Sequence, residues 1–512
     1  MRRALPVSFA CLLLACSAAC RGARDAEPSS AAVTLRVGVA DPRRGTAPQA
    51  GVAQLSRLLR FAPVVTLGRD GRPRPALAER WEAADDARAW RFHLRPGLTF
   101  HDGSPLTSAE VRASWAPATD PSLPGMPPGL RDIAAIETSG PEQVVVRLHR
   151  PSALLLESLA LLPITTDEAR VGAGPFKPVA DTRTVADEAT TLEAFPGHYH
   201  GRPRIDRLEI RSFPAPRSAW SALMRGEIDF LYEVAPEAVE FLRASADVQA
   251  LSFLRPYVYV VGFNMAHPVL KDVSVRRALN QAVDRAFVIA RALGGRGVPA
   301  YDHVWPGHWT FDAGLGATPY DPRAAAAALD RAGWTVRRTS AGERFPQRFR
   351  LTCLLPASYP QFERVGLIVQ KQFADVGVDL ALEVVPLAEL QRRLAEGRYD
   401  AYLFEMAGGP GLSWPYRFWH SPETGEAAFV RSGYSAANAP LDRVRNAMTD
   451  DELRDAVRTL RRVFVEDPPA LFLCWGETAR AVRRTFRVPA GDERDVLSTL
   501  PEWEPVAGVG RR

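Results

Sequence analysis

The chain has 512 residues, 46% hydrophobic and 24% charged, which suits a large core spread over two or three domains. Its formal net charge is +5, but the basic residues are scattered and only Lys177, Lys271 and Lys371 are lysines, so no concentrated phosphate-binding surface and no nucleic-acid partner is expected. The usual enzyme constellations are missing: there is no G-x-S-x-G elbow, H-E-x-x-H, C-x-x-C or G-x-x-x-x-G-K-[ST] loop.

Met1-Arg2-Arg3 followed by the apolar stretch Ala4 to Ala15 reads as an export signal, too short to span a bilayer. Cys11, Cys16 and Cys20 lie in this segment. Leu13-Leu14-Ala15-Cys16 looks like a lipobox, which would put a lipid on Cys16; Ser17-Ala18-Ala19-Cys20 is the rival, with the lipid on Cys20. Residues 1–20 are thus read as a lipoprotein signal segment and 21–33, rich in Ala, Ser and charge, as a flexible tether. The protein is expected in the periplasm or cell envelope, exported and lipid-anchored. The other two cysteines, Cys353 and Cys474, sit in apolar runs that read as strands, and whether they pair is open.

Thr34 to Ala40 alternates as a strand and ends in a Pro/Arg/Gly loop through Gln49. Asp70-Gly71 is turn chemistry. Trp90, Phe92 and Leu94 alternate with polar residues, Pro96-Gly97 breaks the strand, and Thr107 or Ser108 caps a helix with Glu110 in its first turn. Val144, Val146 and Leu148 form another strand. In Gly172-Ala173-Gly174-Pro175 the proline forbids the helix start that a nucleotide loop needs. His198-x-His200 is either a chelating pair or part of a turn. A strand at Leu208 and Ile210 precedes a short helix over 218–226. A single helix is expected from Val275 to Leu293, capped by Ser274 and stopped by Gly294. Asp321, Pro322 and Gly333 delimit the next. Strand 349–355, helix 361–375 and strand 378–385 form a β-α-β unit with a parallel pair. Helix 387–396 and strand 399–404 follow, then the loop Gly408-Gly409-Pro410-Gly411.

The order of several short runs is more specific than any one of them. Pro75-Ala76-Leu77-Ala78-Glu79-Arg80-Trp81, then Phe92 to Gly97, then Phe100-His101-Asp102-Gly103-Ser104-Pro105-Leu106-Thr107 resemble the signature of extracytoplasmic solute-binding protein family 5, the oligopeptide, dipeptide and nickel-binding class of ABC importers. Val275-Arg276 with Asp284-Arg285, and Tyr320-Asp321-Pro322 with Ala332-Gly333, resemble further parts of it. The resemblance implies an α/β periplasmic-binding-protein-like fold, two hinged lobes and an extra third domain. It places residues 34–65, 171–255 and 475–512 in the first lobe, 66–170 in the extra domain and 256–474 in the second lobe.

By the same resemblance the ligand lies between the lobes, touched by three regions. The first is the loop with Asp41 and Arg43, and the second is the segment holding Tyr257, Tyr259 and Asn264. The third, after strand 399–404, holds Glu405, Met406, Gly408 and Gly409. Trp305, Trp309, Trp414 and Tyr416 are candidate stacking walls. Peptide binders of the family commonly carry an aspartate in the third region for the peptide ammonium; here no aspartate stands there, and only Glu405 is available. The implied function is a binding lipoprotein that hands peptides or peptide-like solutes to ABC permease and ATPase subunits, as a monomer and without cofactor, metal or catalysis. The alternative is a ligand-sensing module of the same fold acting on a receptor or regulator.

Overall fold

The computed structural model describes residues 32–40, 51–120, 127–166, 171–179, 189–337, 346–357, 360–422, 428–489 and 496–506. Two strands exceed all others in length, Val248–Phe263 with 16 residues and Ala470–Arg483 with 14. Both are rich in β-branched and aromatic residues, and they run antiparallel through the middle of an 11-stranded sheet. At one end Phe230–Leu231 pairs with Ala470–Arg483, followed by Thr34–Ala40 and Arg207–Phe213. At the other end Ala401–Ala407 pairs with Val248–Phe263, followed by Phe349–Pro356 and Val378–Val385. The sheet therefore has two halves that share only the long pair.

Helices cover both faces of each half. Tyr259, Val261 and Phe263 point into one core of the second half and Val258 and Val260 into another, as the two-residue period of a strand requires. The first half builds its cores around Leu35, Val37 and Leu208 on one face and Ala219, Leu223 and Leu231 on the other. Strands Phe349–Pro356 and Val378–Val385 are parallel and joined through helix Pro360–Asp375, as their pattern predicts.

A smaller unit is inserted between Pro63 and Pro163. Its stems Ala62–Pro63 and Pro163–Ile164 pair with each other. Inside it, strands Ala78–Ala83, Ala89–Leu94, Gln143–Leu148 and Ile133–Thr138 make an antiparallel sheet. Helix Ser108–Trp115 opens on a reciprocal cap between Thr107 and Glu110. Gly172 and Gly174 stand where a Cβ would lie 2.2 Å from Arg60 O and 2.5 Å from Arg60 C, so the motif serves a close backbone approach.

Two expectations change, and one open question is answered. The helix read as 275–293 is two, Val273–Gln281 and Arg285–Ala292, because Asp272 caps the first and Asp284 accepts the Phe287 N–H to start the second. The strand read as ending at Phe404 continues to Ala407, in register with Tyr257, so Glu405 and Met406 are strand residues. Cys353 and Cys474 are buried free thiols. Among the described residues no helix is long and apolar enough to cross a membrane.

Candidate functional site

The directions of the strands place the site. Thr34–Ala40, Arg207–Phe213 and Phe230–Leu231 are parallel, and the last runs antiparallel to the departing end of Ala470–Arg483. Ala401–Ala407 likewise opposes the departing end of Val248–Phe263, with Phe349–Pro356 and Val378–Val385 parallel to it. The carboxyl ends of six strands thus converge from both halves on the middle of the long pair. Ligands of open α/β sheets bind outside strand carboxyl ends.

At that middle the long strands break register: Leu254 faces Glu477, but Val258 already faces Trp475. Pro256 causes the break, since it has no N–H for the ladder. Its carbonyl accepts instead from Gly408 (2.9 Å) and Gly409 (3.2 Å). Arg255 leaves the bulge and donates to both carboxylate oxygens of Glu405, at 2.9 and 3.1 Å. It also lies 5.0 Å from the Tyr257 ring. Burial disfavours the Arg255 cation, but Glu405, Tyr259 and Glu233 outweigh it and hold its pKa above the ordinary value. Burial, reinforced by Glu405, pushes the Tyr259 hydroxyl up. Glu233, from the first half, is exposed.

Tyr257, Tyr259 and Glu405 therefore meet at one place, together with Arg255, which the sequence reading missed. An Arg-Pro pair inside a long apolar strand pattern is the signal that could have found it. Replacing Glu405 with Ala is expected to cost about 1–3 kcal/mol, since the guanidinium keeps some water. Most of the loss should return in a Glu405→Ala/Arg255→Met double variant, read by urea unfolding.

Other candidates have structural duties. Asn264 is buried and committed: its amide donates to Gly397 O and Tyr399 O at 3.0 and 2.7 Å, and its oxygen accepts from Ala266. Met406 is enclosed in the core. Gly408 carries no side chain because a Cβ would meet the Trp475 ring at 2.2 Å, and Trp475 in turn packs edge-on against Trp305 at 5.2 Å. His303 is a neutral positioning group: its Nδ1 accepts from Trp419 Nε1 (2.7 Å) and its Nε2–H donates to Ala407 O (3.0 Å), with its pKa lowered to about 3 by burial. Trp414 is half-buried and stacks on Phe418. Trp309 has Arg72 at 4.0 Å and Arg454 at 5.3 Å from its ring. Tyr416 is buried and bonded to Arg445 and Asp442. Asp41, Arg43, Cys16 and Cys20 lie outside the described residues.

A cavity of 690 Å³ lies where the inserted unit meets both halves, lined in part by Phe61, Leu67, Asp70, His198, His200 and Gly307. The His198 and His200 rings are 5.8 Å apart, and among the described residues no three His, Cys, Asp or Glu could hold a metal.

A profile described as bacterial extracellular solute-binding proteins, family 5 Middle, matches residues 72–426. The chain belongs to this family. Family 5 proteins are extracytoplasmic solute-binding components of ABC transport, not enzymes. Among curated relatives, Heme-binding protein A of Haemophilus influenzae is 27% identical over 375 residues, which is 66% of this chain and 66% of that one. The Brucella ovis putative ABC transporter peptide-binding protein is 29% identical over 60% of each chain. The matches thus span somewhat under two thirds of these two relatives. Oligopeptide-binding protein AppA of Bacillus subtilis is 25% identical across 84% of this chain and 83% of its own. NikA from Brucella suis, solved with Fe(III)-EDTA, shares the fold at a TM-score of 0.79 and 22% identity, covering 92% of this chain and all (100%) of its own. The two-halved α/β architecture with an inserted third unit is that of family 5 periplasmic binding proteins.

Proposed function

We propose that this family 5 protein is the lipid-anchored receptor of an ABC importer, taking peptides or peptide-like solutes between its two halves and passing them to a permease. The lipid would sit on Cys16 or Cys20. The observation that carries this reading is the convergence of six strand ends on a broken pair of crossover strands, a layout suited to capture by hinge closure. Relatives named for peptides, one matching over 84% of the chain, support the solute class.

The chemistry at the break narrows the class. Glu405 is the acid that the resemblance offers for a peptide ammonium, and Arg255 already occupies both its oxygens. A peptide ammonium arriving there would have to displace a bidentate partner. Free and N-acetylated tri- to pentapeptides are therefore expected to bind within about threefold of each other, less than the 1.4 kcal/mol that separates tenfold affinities. Calorimetry on matched pairs checks this, and a strong preference for the free amine would refute it. A true solute at a hundred times its Kd should stabilise the protein by about 2.7 kcal/mol. Native mass spectrometry of protein from its own host, seeking a co-purified small molecule, tests the wider reading.

A further inference from the structure

We propose that Glu157 and Asp132 of the inserted unit form a latch that fastens the second half to the first, and that Glu157 makes it proton-sensitive. The proposal rests on the reading above that the halves hinge. Both stems of the inserted unit join the first half: the first follows helix Gly51–Arg60, which packs on that half's strands, and the second leads into Phe176–Pro178 of its sheet. Every contact of the insert with the second half is therefore non-covalent. Such contacts must part if the long strands bend open.

These contacts are buried and specific. Glu157 Oε2 accepts the Leu412 N–H at 2.5 Å, and the nearby Ser413 amide and hydroxyl favour the same carboxylate. Ser158 Oγ lies 3.3 Å from Ser413 Oγ. Asp132 takes Arg445 Nε–H at 2.9 Å and the Arg445 Nη2–H, with 1% and 3% of the two side chains exposed. Ala153 N–H donates to Arg445 O at 2.7 Å, and Leu154 is buried in the second half's core. The glycine-rich loop is shaped to this contact, because a Cβ on Gly411 would fall 1.9 Å from Glu157 Oε2.

The titration follows from the geometry. Burial raises the Glu157 pKa from 4.5 to about 7, against the opposing hydrogen bonds from Leu412 and Ser413. Charged groups on the surrounding elements are Arg131, Arg417 and the Asp132, Arg150 and Arg445 cluster, and none of them acts on the Glu157 titration. In an opened molecule Glu157 meets water and returns toward its ordinary value. The closed form binds the extra proton, so its advantage is complete below the ordinary carboxyl range. That advantage is lost as pH rises through 7.

Small-angle scattering on the full mature chain without added solute, with amide exchange at Leu412 and Ser413 corrected for intrinsic rate, tests the latch. Between about pH 5.5 and about pH 8.5 the closed-to-open ratio of the wild type is expected to fall about tenfold or more. Glu157→Gln should stay compact and protected at both, and Gly411→Ala should be expanded at both, with circular dichroism showing each variant folded. A pH response retained in Glu157→Gln, a Gly411→Ala variant as compact as wild type, or unchanged protection at Leu412 and Ser413 in the wild type would overturn the proposal. No solute enters these readouts, so they stand or fall separately from the peptide measurements.

Discussion

Asp132→Ala is expected to destabilise the protein by about 3–5 kcal/mol, because it removes the carboxylate paired with the buried Arg445 guanidinium. Arg445 is 3% exposed, and the Tyr416 hydroxyl that it also meets at 2.8 Å is neutral and cannot balance a charge. Arg150, the other partner of Asp132, is 43% exposed and can turn to water, so it adds little to the penalty. The comparison that isolates the effect is Asp132→Ala beside Asp132→Ala/Arg445→Met in urea unfolding. The double variant should recover most of the loss, since removing both charges removes the desolvation cost with them. A single variant within about 1 kcal/mol of wild type would mean that the buried charge finds water without unfolding.

Gly262→Ala is expected to cost about 3 kcal/mol or more, through overpacking. Gly262 sits in mid-strand, paired with Tyr402 on one side and Ala470 on the other. A Cβ there would lie 2.1 to 2.3 Å from the Cζ, Cε1 and hydroxyl oxygen of Tyr402. That ring is 1% exposed and cannot move without repacking the core of the second half. Trimming the obstacle should rescue the loss: Gly262→Ala/Tyr402→Leu is expected to be more stable than the sum of its parts by over about 1 kcal/mol. Thermal unfolding of the four proteins reads both numbers, and additive losses would show that the ring is not the obstacle.

The reach of the sequence follows the range of the interactions involved. Caps were legible because they are local: Thr107 with Glu110, and Asp321 with Pro322, carry their partners within three residues. The parallel crossover unit was legible because its elements follow one another in the chain, whereas the glycines at 172 and 174 answer to the distant Arg60 backbone, which no local pattern shows. The break between Val273–Gln281 and Arg285–Ala292 was not, because apolar spacing carries through it while Asp284 restarts the helix. Arg285, which the family signature marks, proves to be a buried tie to Ala300 O and Phe472 O, at 2.9 and 2.7 Å, rather than a solute contact. Distance in the chain hid the rest. Arg255 and Glu405 are 150 residues apart, and Glu157 and Leu412 are 255 apart, so no local pattern announces either pair. Only the fold brings them together.

The adjacent stems Ala62–Pro63 and Pro163–Ile164 have a consequence for how this architecture varies. Chain leaves and re-enters through a two-ply stalk, so everything beyond it is a side branch on the great sheet. Lengthening, shortening or exchanging that branch leaves the order of the eleven strands untouched. Natural variation in size should therefore gather there, provided a replacement branch supplies new groups for the loop at Gly411 and for Arg445.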